Sequence, residues 1–89
     1  MVDTNAVKAN LEDWLQNPSW AEYYDNAPSD GCKEFIAMDF YASETEDEDA
    51  FRAMDDLESS LSLEDLKYLY ENSEGPERAR LAQKIRQLQ

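Results

Sequence analysis

Apolar residues recur at helical spacing along most of the chain. Val7, Leu11, Trp14 and Leu15 fall at i, i+4, i+7 and i+8, which predicts a helix over residues 4–16. Asn17 followed by Pro18 offers a cap and a first helical residue, so SWAEYYDN reads as a second, short helix carrying Trp20, Tyr23 and Tyr24. NAPSDG is the clearest loop signal, with Pro28 and Gly31 bounding two capping residues, Ser29 and Asp30.

CKEFIAMDFYAS is ambiguous. Phe35, Met38 and Ala42 share one helical row, and Ile36 and Phe40 share another. Residues 34–41 could instead form a short buried strand, but a lone strand has nothing to pair with, which favours a helix. Thr45-Glu46-Asp47-Glu48 has the spacing of a capping box, and Ala50, Met54, Leu57 and Leu61 then form one apolar stripe. Ser62 caps a further helix through Leu63, Leu66, Leu69 and Tyr70. Gly75 suits a left-handed turn and Pro76 the start of a last helix lined by Leu81, Ile85 and Leu88. The expected fold is all-α, a compact bundle of five or six short helices in one domain spanning residues 1–89, with a radius near 12 Å.

Charge changes the picture more than length does. The 89 residues carry 21 acids and 8 bases, a formal net charge of -13. Residues 1–60 hold 16 acids against Lys8, Lys33 and Arg52, whereas residues 61–89 are balanced and their last helix is mildly basic. At 42% apolar and 11% aromatic the chain is too rich in core formers to be disordered. The excess concentrates in SETEDEDAFRAMDDLESS, residues 43–60, where eight carboxylates accompany one arginine. Part of this is ordinary helix chemistry. Acids in a first turn favour the positive end of the helix dipole, and Arg52 stands three or four residues from Glu48, Asp49, Asp55 and Asp56. One arginine cannot neutralise four carboxylates, and self-repulsion works against a compact state. The surplus is either incidental or suited to a basic partner.

Several chemistries are excluded or disfavoured. The chain has no histidine, one cysteine and two glycines, which leaves no imidazole catalyst, thiolate zinc cluster or phosphate-cradling loop. A calcium loop begun at Asp47 would place Phe51 and Arg52 where an oxygen donor and a glycine belong. No catalytic, cofactor-binding or metal-binding residue is therefore assigned, and no enzyme activity is expected. Arg78, Arg80, Lys84 and Arg86 hint at nucleic-acid binding, but the acidic body would repel phosphates. MVDTNAVKAN lacks signal-peptide features, no run approaches a membrane span, and a lone Cys32 indicates no disulfide framework, so a cytoplasmic protein is expected.

The residues expected to contact a partner are Glu44, Glu46, Glu48, Asp49, Asp55 and Asp56, and the partner expected is a basic protein surface. If that surface is a nucleic-acid-binding channel, helical carboxylates about 5–6 Å apart would compete there as anions. In size and charge alone the chain resembles the small acidic inhibitors that phages and mobile elements direct against DNA-acting defence proteins. The rival expectation is an adaptor or homodimer binding through apolar surface at Tyr68, Tyr70 or the Trp20 cluster.

Overall fold

The computed structural model describes residues 2–89. They form six helices with no strand among them: α1 (Thr4–Trp14), α2 (Pro18–Asp25), α3 (Asp30–Thr45), α4 (Glu48–Glu58), α5 (Leu63–Glu71) and α6 (Gly75–Leu88). The radius of gyration is 12.6 Å. Among the described residues no helix is long and apolar enough to cross a membrane.

Local chemistry sets most boundaries. Asp3 caps α1 by accepting from the Asn5 N–H, and Asn17 caps α2 by accepting from the Ser19 N–H. α1 stops at Trp14 rather than at residue 16, because the residue before Pro18 must leave the helical region; Asn17 sits at φ -83°, ψ 119°. Ser29 starts α3 by accepting from the Cys32 N–H. Residues 34–41 are helical throughout. They resisted a periodic reading because α3 is buried on more than one face, with Cys32, Phe35, Ile36, Ala37, Phe40 and Ala42 all buried. α1, α2 and α4 all pack against it.

The capping box read at Thr45 is not formed. Thr45 is the last residue of α3, its hydroxyl donating back to the Tyr41 carbonyl and accepting from the Asp47 N–H. Glu46 follows in the left-handed conformation at φ 56°, closing the helix by donating to the Ala42 carbonyl. The cap of α4 is Asp47, which accepts from the Asp49 N–H, so Glu48 and Asp49 alone make the acidic first turn. Ser62 and Asp65 do form the box expected at α5. Gly75 adopts φ 65°, and Pro76 follows in the first turn of α6.

The core gathers Cys32, Phe35, Ile36 and Phe40 of α3, Ala50 and Met54 of α4, Leu61, Leu66 and Leu69 around α5, and Leu81 of α6. Burying a leucine or phenylalanine this fully stabilises by about 1.5–3 kcal/mol each. Burial raises the Cys32 thiol to about 12, with Asp65 adding to the shift, so this cysteine is an inert packing residue at neutral pH. Leu57 is half-buried and packs against this core, whereas Leu88 is 57% exposed and does not close it as its stripe suggested.

Candidate functional site: the acidic surface and its grooves

Two acids never reach the surface. Glu58 lies on the same row of α4 as Ala50 and Met54 and is buried with them. The Arg80 Nη1 sits 2.5 and 2.6 Å from its two carboxylate oxygens, and the Lys84 ammonium stands 3.5 Å from one of them. That hydrogen bond is the main reason the Arg80 guanidinium is held above its ordinary range. The second is Asp65. One of its oxygens accepts from the Ser29 hydroxyl at 2.8 Å and the other from the Ser62 N–H at 3.2 Å. A single carboxylate thereby fastens the first turns of α3 and α5 together. The basic residues of the last helix are thus partly structural, with Arg78 also lying over the Tyr70 ring at 4.5 Å.

The six acids expected to face a partner are distributed differently. Glu44, Glu46, Glu48, Asp55 and Asp56 are exposed and Asp49 is half-buried. Arg52 pairs with Asp49 at 3.8 Å, with both side chains open to solvent, which screens the bridge. Among the described residues no cation forms an ion pair with Glu44, Glu46, Glu48, Asp55 or Asp56. They do not make one face. Glu44 borders a groove beside α1 and α2 with Asn10, Asp13 and Trp20, whereas Asp55 borders one between α4 and α6 with Phe51, Pro76 and Glu77. Glu46 belongs to the turn between α3 and α4 and not to a helical array.

Asp39 joins the grooves and was not anticipated. It is half-buried on α3, lining the α4–α6 groove and a neighbouring one of about 440 Å³ that Trp14, Trp20, Tyr23, Glu74 and Glu77 also line. Desolvation, and then the Glu77 carboxylate, push its pKa up to about 6, against smaller opposing contributions from the Ser43 hydroxyl and Arg80. Phe51 stands 46% exposed at the first groove and Trp20 41% exposed at the second. Trp14 stacks on Phe40 with ring centroids 4.4 Å apart, and Trp20 meets both rings edge-on at 5.3 and 5.4 Å. Tyr68 stacks on Tyr23 and donates its hydroxyl to the Tyr23 carbonyl, so this tyrosine is engaged within the fold.

Glu58 did carry a sequence signal, since a charged residue four places after Met54 interrupts an apolar row. Asp39 carried none, standing between Met38 and Phe40. Among the described residues no three His, Cys, Asp or Glu side chains converge as a metal site would require. Comparison with family models, with curated proteins and with solved structures finds no match to this chain.

Proposed function

We propose that the protein is a non-enzymatic, cytoplasmic binding protein whose exposed carboxylates engage a basic protein surface, and that it competes with nucleic acid for that surface. The observation that carries this reading is a contrast in how the fold treats its acids. Glu58, which is buried, is met by Arg80 and Lys84, while Glu48, Asp55 and Asp56 stand in solvent without an ion pair among the described residues. Two of its eight cations meet that buried acid, and most of a net charge of -13 stays outside. Such a charge speeds encounter with a cationic partner and makes the rate strongly dependent on salt.

The reading is tested by reversing Glu48, Asp49, Asp55 and Asp56 to Lys and using the variant as bait in a pull-down beside the wild type. Basic proteins that co-purify with the wild type should be lost, while the helical circular dichroism spectrum stays nearly unchanged. Wild-type affinity for them should fall steeply between low salt and about 0.3 M sodium chloride. The exposed Trp20 favours a second reading, an adaptor binding through aromatic surface. That interaction would survive both salt and charge reversal and fail when Trp20 is truncated.

A further inference from the structure

We propose that the groove lined by Trp14, Trp20 and Tyr23 together with Asp39, Glu74 and Glu77 is a receptor for one arginine side chain projected by the partner. The inference rests on the reading of a basic partner and adds the point at which that partner is gripped, a groove that none of the α4 acids lines. Its basis is a mismatch inside the groove. Asp39 is half-buried with no cation in ion-pair contact among the described residues. The groups acting on it are Glu77 and Arg80 from α6 and Ser43 from its own helix, while Tyr23 of α2 shares the groove and feels the carboxylate in turn. The one arginine within reach is already bound to Glu58 through both carboxylate oxygens. Burial and then Glu77 raise the pKa of Asp39 to about 6, so its ionised form carries an electrostatic cost that a cation in the groove would offset.

The walls select which cation. Trp20 presents 41% of its surface to solvent in the groove that Glu74 and Glu77 also line, and it meets the Trp14 and Phe40 rings edge-on. A guanidinium is planar and weakly hydrated. It lies flat on an aromatic face while its edge donates to carboxylates, a combination that a compact, strongly hydrated ammonium matches less well. At about 440 Å³ the groove falls within the range of sites that hold small ligands. Aromatic rings and carboxylates on one concavity complement this side chain in both shape and charge.

The test needs no knowledge of the partner. N-acetyl-arginine N-methylamide, and its citrulline counterpart with the same shape but no charge, are titrated into the protein while the Trp indole N–H resonances are followed. Wild type, Asp39→Asn and the four-fold α4 reversal are compared at pH 7.5 and constant ionic strength. The arginine probe should move the Trp14 and Trp20 indoles with a dissociation constant of about 1–10 mM, the scale expected for one side chain. The citrulline probe should not, Asp39→Asn should weaken binding at least tenfold, and the α4 reversal should retain it. Indoles that stay still up to about 50 mM probe, or that answer citrulline equally, overturn the arginine site. A response confined to amides of α4 also overturns it, yet leaves the basic-partner reading standing, because that reading fails only on the pull-down with the reversed variant.

Discussion

The Glu58 carboxylate is clasped by the Arg80 guanidinium across 22 residues of chain, with both oxygens within hydrogen-bond distance of one nitrogen. The acid is fully removed from water, its side chain 1% exposed, whereas the arginine remains 42% exposed. Removing the arginine strands a buried charge with only Lys84 to answer it. Arg80→Ala should therefore cost about 1–3 kcal/mol, below the usual figure for a fully buried pair because solvent screens one partner. Lys84→Ala should cost less, and replacing Glu58 and Arg80 together by leucine should restore most of the loss. Urea denaturation of the four proteins checks the order.

Asp39 gives stability a pH dependence of unusual sign for a carboxylate. Its pKa is about 6 in the fold against 3.8 unfolded, so between those values the folded chain binds more protons. The stability it contributes is fully present below about pH 4 and is lost as pH rises through about 6. Asp39→Asn removes the charge while keeping the shape. Relative to wild type it should gain about 1–2 kcal/mol between pH 4 and pH 7, a figure reduced for residual solvation. Denaturation midpoints at the two pH values measure this; an unchanged difference between the proteins would mean that Asp39 is better solvated than its surroundings imply.

Self-repulsion should be visible in salt. A net charge of -13 is held within a radius of gyration of 12.6 Å, and several α4 carboxylates have no ion pair among the described residues. Screening over roughly 8 Å at 0.15 M relieves that repulsion more than it weakens the half-covered Glu58 network. The melting temperature should rise by a few degrees between low salt and about 0.3 M sodium chloride. A fall would place the balance with the ion pairs instead.

What could be read from sequence was what short-range chemistry decides. Asn17 with Pro18, Ser62 with Asp65, and Gly75 with Pro76 act on their own neighbours, and each boundary stands where its residues put it. Thr45 misled because it and Asp47 are both capable caps. The choice between them depends on how far α3 continues over its packed neighbours, which no local pattern records. Leu57 packs at the edge of the core rather than inside it, since the fully buried row of α4 runs through Glu58, where an ion pair replaces an apolar contact. The exposed acids were legible because they avoid the apolar stripe of α4. Their division between separate grooves was not, because it depends on where α1, α2 and α6 come to rest. Asp39 was invisible for the same reason, its character arising from residues brought in from α2 and α6.

Two carboxylates span long stretches of chain, Asp65 to Ser29 across 36 residues and Glu58 to Arg80 across 22. Losing Arg80 would leave Glu58 under cover with only Lys84 to answer it, and losing Ser29 would leave one Asp65 oxygen without its donor. In any descendant lineage, substitutions at these four positions should arrive as matched pairs or not at all, whereas an exposed glutamate can vanish from one turn and reappear on another while the overall charge is kept. Relatives of this chain would then be recognisable by coupled variation at 29 with 65 and at 58 with 80, long after the acidic residues that dominate its sequence have been reshuffled.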